Sequence, residues 1–132
     1  MSSFTEKLEY TEVGKDKKGR KLYRLEKSIT YKVGSEIDPF WSITVPEGFI
    51  TDLATIFWPA RLIFKPDGKY AAAAILHDYM IHQYEVMRGE TFTRIVIDAI
   101  FYEALLVLKT NFIVASLFYY SVRLYARLVG KI

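Results

Sequence analysis

The chain reads as an α+β protein, a small N-terminal antiparallel sheet of about four strands followed by three helices with an antiparallel helical hairpin among them. Three observations carry that reading. Up to about residue 50 apolar residues alternate with polar ones, the period of a strand with one buried face. From about residue 69 they recur at spacings of three and four, the period of a helix. Strands come first and helices second, which is the order of an α+β domain and not of a βαβ one. At 132 residues the chain is one domain, 1–132, with a β-rich part (1–50) and a helical part (51–132).

The first two strands are residues 5–13 and 21–27, joined by the polar loop Gly14-Lys15-Asp16-Lys17-Lys18-Gly19. Ile29, Tyr31 and Val33 alternate with Thr30 and Lys32 to make the third. A turn from Gly34 to Pro39 leads to the fourth, where Trp41, Ile43 and Val45 alternate with Ser42 and Thr44. Pro46-Glu47-Gly48-Phe49 ends it. Thr51-Asp52-Leu53-Ala54-Thr55 then predicts a short capped helix, because an acid or hydroxyl before the first turn accepts its free amide hydrogens. Pro59 and Pro66-Asp67-Gly68 break the chain again. The first long helix spans about 69–86 and is closed by Gly89. Thr91 or Thr93 starts the second, which runs to about Lys109, and Thr110-Asn111 reverses the chain. The third reaches about Val129 and is ended by Gly130.

Hydrophobic residues make up 52% of the chain and aromatics 16%, with ten Tyr and nine Phe. That is more apolar surface than a small monomer needs, so a protein partner or a homo-oligomer is expected. The third helix is where it would form, since Phe112, Leu117, Phe118, Tyr119, Tyr120, Leu124, Tyr125 and Leu128 give it apolar groups on more than one face. Net charge is +3, with basic groups in the first hairpin (Lys15, Lys17, Lys18, Arg20, Lys21) and near the C-terminal end (Arg123, Arg127, Lys131). Basic residues in a turn read as a solvated loop, and no nucleic-acid partner is expected. The absence of cysteine excludes disulfides and a thiolate zinc site. Met1 to Glu6 lacks an apolar core after a basic start, so no signal peptide is expected. The apolar run Phe112–Val122 is stopped by Arg123, short of the ~20 residues a bilayer span needs. No transmembrane segment is expected, but a basic, apolar third helix is of the kind that lies on a membrane surface.

The chemistry-bearing feature is His77-Asp78, set in the run Tyr70-Ala71-Ala72-Ala73-Ala74-Ile75-Leu76-His77-Asp78-Tyr79. Another lone acid, Asp98, stands in the next apolar helix. Burying such groups is costly unless they pair or bind something. Helical geometry puts His77 with Ala73, Ala74, Met80, Ile81 and Tyr84, and Asp98 with Arg94, Ile95, Phe101, Tyr102 and Leu105. A short connection sets the two helices antiparallel and could bring Asp98 opposite His77. A carboxylate on one imidazole nitrogen fixes the tautomer and leaves the other to take a proton from water. The structural alternative is a satisfied polar cluster, with Arg88 or Arg94 as partners and Arg94–Asp98 an ordinary i,i+4 ion pair. His82 falls off the face of His77 and reads as a surface residue. Glu103 is a weaker site candidate, suited to pairing with Lys109 or a basic loop. Asp52 caps a helix or, turned toward Asp78, would complete a hard oxygen site for Ca²⁺ or Mg²⁺.

Taken in order, Val45-Pro46-Glu47-Gly48-Phe49-Ile50-Thr51-Asp52-Leu53-Ala54-Thr55-Ile56, Phe57-Trp58-Pro59, Tyr70-Ala71-Ala72 through His77-Asp78-Tyr79, and Asp98 with Phe101 and Glu103 resemble a domain of unknown function common in tailed-phage genomes and prophages. The likeness covers roughly residues 40–125. It implies a phage origin, hence the virion or the host cytoplasm as location, and no established activity. Position 81 departs from that pattern, with Ile81 in place of a tyrosine-like ring. More loosely, an alanine-rich His-Asp helix followed by a helix with Asp and then Phe is similar to the core of phospholipase A2 enzymes. That likeness implies His77 as general base, Asp98 as its orienting partner and Asp78 as a Ca²⁺ ligand in metal-assisted hydrolysis of a lipid or another ester or amide. The glycine-rich calcium loop of those enzymes has no counterpart here beyond Gly48 and Asp52.

The sequence therefore predicts first a non-enzymatic phage protein, a virion component or a binder of a protein partner. A metal-assisted hydrolase is the alternative.

Overall fold

The computed structural model describes residues 2–35, 37–53, 70–87 and 92–128. The expectations placed on Ala54–Thr55, Pro59, Pro66–Gly68, Arg88, Gly89, Thr91, Val129 and Gly130 fall outside them. The chain forms two compact units, Met1–Ala54 and Thr55–Ile132.

The described residues of the first unit form six strands: β1 (Ser3–Phe4), β2 (Tyr10–Lys15), β3 (Lys21–Leu25), β4 (Ile29–Val33), β5 (Trp41–Val45) and β6 (Ile50–Thr51). The fold class is α+β, as expected, but the strands pair in two three-stranded antiparallel sheets, β1-β4-β5 and β2-β3-β6. Of the expected strand over 5–13 only residues 10–13 are strand, within β2, and β1 lies before it. Ser3 and Phe4 pair with Lys32 and Tyr31 in one sheet, while Tyr10 to Lys15 pairs with β3 in the other. β4 and β5 alternate as the sequence requires. Ile29, Tyr31, Val33, Ile43 and Val45 are buried, with Ile29 opposite Val45 and Tyr31 opposite Ile43. The β2–β3 turn is built by Asp16, whose Oδ1 accepts from the amides of Lys18 (2.8 Å) and Arg20 (2.9 Å). At the β4–β5 turn Gly34 has φ 94°, and a β-carbon there would stand only 2.8 Å from the Phe40 ring. Only glycine meets both conditions without strain.

The capped helix expected from Thr51 does not begin at that residue. Thr51 belongs to β6, its hydroxyl accepts from the Leu53 amide at 3.0 Å, and Leu53 itself has φ 57°.

The second unit holds α1 (Ala71–Met87), α2 (Arg94–Val107) and α3 (Phe112–Leu128). Thr93 caps α2 by accepting from the Val96 amide at 3.3 Å. α2 ends in a Schellman turn, with the amides of Lys109 and Thr110 donating to the carbonyls of Leu106 (2.9 Å) and Leu105 (3.0 Å) and Lys109 in the left-handed region at φ 63°. Tyr102 meets Tyr119 and Asp98 meets Arg123, pairs nested about the short 108–111 connection, so α2 and α3 are antiparallel. Tyr70 meets Phe118, and His77 meets the carboxylate that also holds Arg123. α1 therefore runs with α3 and against α2. Residues 71–77 of α1 are buried on every side, and the four alanines there leave room for neighbouring elements to approach. No described helix is long and apolar enough to cross a membrane.

Candidate functional site

Among the described residues of the helical unit the fully buried carboxylate is Asp98. α2 buries the stripe Arg94, Ile97, Asp98, Phe101, Ala104 and Leu105, spaced to share a helical face, and Asp98 at its centre is fully buried. All three helices supply donors to it. His77 Nε2 of α1 lies 2.6 Å from Oδ1, Arg94 Nε of α2 donates to the same oxygen at 3.2 Å, and Arg123 Nη1 of α3 donates to Oδ2 at 2.7 Å. Phe101 walls one side of the imidazole, its ring centroid 4.6 Å from that of His77.

Burial alone would push the Asp98 carboxyl up. The hydrogen bond and charge of His77, the charge of Arg94 and the hydrogen bond of Arg123 outweigh it, and the group is held below its ordinary 3.8. An ionised carboxylate has no proton to give, so Nε2 carries the hydrogen in the His77–Asp98 bond. Two permanently charged guanidiniums face a single carboxylate. A cation in the first turn of a helix also opposes the helix dipole, so Arg94 is held there by the Asp98 carboxylate one turn on and not by the dipole. Proton abstraction at this imidazole would fall to Nδ1, from a ring that is 1% exposed.

The juxtaposition of His77 with Asp98 and the Arg94–Asp98 pair thus follow the sequence expectation. Arg123 does not. The sequence counted it only among the basic groups near the C-terminal end, yet Val122 and Ala126 beside it are buried, and its guanidinium closes the cluster. The signal was a lone cation on the inward side of an apolar helix, with two lone acids upstream. Asp78 is half-buried on α1, His82 is exposed and Glu103 is half-buried. Asp52 lies in the first unit, ion-paired to Arg20 at 3.2 Å with both side chains partly in water, a pairing of small energetic value. Among the described residues no three His, Cys, Asp or Glu side chains are grouped to hold a metal ion.

These features define a class: an α+β protein whose helical unit is centred on a buried His–Asp pair clamped by two arginines. The chain belongs to the family described as "Protein of unknown function (DUF1353)", whose profile matches residues 23–122. The matched stretch contains His77, Arg94 and Asp98 and stops one residue before Arg123. Neither a curated protein nor a solved structure matches the chain.

Proposed function

We propose that this chain is a non-catalytic docking protein of a tailed phage, a component of the particle or of its assembly in the host cell, and that α3 is the element that docks. The observation carrying this reading is the outer face of α3, whose large apolar side chains stay in water after the helix has packed. The His–Asp pair supports it from the other side. A general base has to meet water and substrate, whereas His77 is sealed and both Asp98 oxygens are taken by donors from three helices. The phage setting rests on the sequence resemblance.

A second reading, hydrolysis of a lipid or other ester or amide, has one specific observation in its favour. Asp98 takes Nε2, the arrangement in which a carboxylate orients an imidazole whose Nδ1 abstracts a proton, and Asp78 stands next to His77 as a further oxygen donor.

The test sets the two readings against each other. The purified chain, with and without Ca²⁺, is incubated with a panel of phospholipids and activated esters beside His77→Asn. No turnover above the variant is expected. In light scattering, pull-down from a phage lysate and vesicle sedimentation, the wild type should associate where Leu117→Glu/Leu124→Glu does not. Turnover that depends on His77, or a wild type that associates with nothing, overturns the docking reading.

A further inference from the structure

The packed side of α3 is the stripe Ala115, Phe118, Val122 and Ala126. On the opposite side Ile113, Leu117, Tyr120, Leu124 and Leu128 are 67, 51, 68, 57 and 76% exposed. Their spacings of four, three, four and four residues put them on one face, over about 22 Å of helix. The only charged side chain among the exposed residues of α3 is Arg127, in the last turn between Leu124 and Leu128. After Glu103 the chain has no Asp or Glu at all.

We propose that this face seats on an anionic lipid surface, α3 lying flat in the headgroup layer. The inference rests on the docking reading above and names what is docked on. A second copy docked face to face through α3 would bring more of the same apolar groups and another Arg127, with no acid on either α3 to receive the cations. An anionic lipid layer supplies both halves of the complement, hydrocarbon for the leucines and isoleucine and negative headgroups for the cation. Tyr120 and Tyr125, each with an apolar ring and a polar tip, suit the boundary between the two. At 17 residues with Arg123 and Arg127 in it, α3 is built to lie on a bilayer and not to cross it.

The whole chain is sedimented with vesicles of phosphatidylcholine alone and with about one third phosphatidylglycerol added. Expected are binding several-fold stronger to the anionic vesicles, weakening in high salt, and a loss of about tenfold in Leu117→Glu/Leu124→Glu, whose far-UV spectrum and melting should match the wild type because both sites face water. Arg127→Glu should lose the preference for anionic vesicles. The chain has no cysteine, so Leu117→Cys can carry a polarity-sensitive dye. Its emission should shift to the blue on anionic vesicles, while the same dye at Lys18→Cys should not respond. Binding unchanged in the double variant, or no binding to either vesicle, overturns the lipid inference. If in that case the wild type forms a dimer or holds a protein and the double variant does not, the docking reading survives and only the lipid falls. If the wild type associates with nothing, both fall.

Discussion

Asp98→Asn keeps the size of the side chain and removes its charge. Asp98 is fully buried, and its partners Arg94 and Arg123 are 3% and 14% exposed at the side chain. The amide leaves two sheltered guanidiniums without a counter-charge, and its NH₂ turns a donor toward donors. Breaking a buried ion pair by removing one partner costs about 3–5 kcal/mol. Small domains have only about 5–15 kcal/mol of stability in all, so the loss is a large part of it. Melting of the helical unit, followed by far-UV ellipticity near neutrality, should fall by roughly 10–20 °C. The sign of the pH dependence is fixed as well. The folded-state pKa of Asp98 lies below its reference value, so its contribution is complete above about 3.8 and is lost as the pH falls further, through the lowered folded value. The gap between wild type and variant should therefore be widest near neutrality and narrow in strong acid. Equal midpoints near neutrality, or a gap indifferent to acid, would refute the account of the cluster.

Thr110→Val should raise stability by about 1 kcal/mol, measured by urea unfolding, because the Thr110 hydroxyl is buried without a hydrogen-bond partner while its amide, which any residue supplies, makes the helix-ending bond. Lys109→Gly should add up to about 1 kcal/mol in the same assay by relieving a left-handed residue at the end of α2. Gly34→Ala should cost about 1–2 kcal/mol, seen as a lower melting midpoint, since φ 94° suits only glycine and the new methyl group meets the Phe40 ring.

Most of the helical unit was legible in the chain because its punctuation is local. Thr93 caps α2, and the break at Thr110-Asn111 separates α2 from α3 where the structure does. β4 and β5 were legible from Ile29, Tyr31, Val33, Ile43 and Val45 for the same reason. β1 and β6 were not. Two-residue strands have no period to read, and Ser3–Phe4 and Ile50–Thr51 are strands only because β4 and β3 offer them an edge. The division into two sheets follows from that pairing and was equally hidden. At the site, helical geometry placed Asp98 against His77 and Arg94. Arg123 escaped because it was counted with Arg127 and Lys131 as part of a basic end, and only the packed stripe Ala115, Phe118, Val122 and Ala126 marks its side of α3 as inward.

Asp98 also has a consequence for the order of events in folding. Its donors come from residues 77, 94 and 123, so no pair of helices can satisfy it. With α1 and α2 docked alone, the carboxylate would be desolvated before Arg123 arrived. With α2 and α3 alone, the imidazole would be missing. A half-assembled unit thus lacks part of the compensation for removing these groups from water, whereas the complete one has all of it. The cluster penalises partial structures more than it rewards the finished one. It should make the three helices gather in a single cooperative step, with few molecules ever found holding only two of them together.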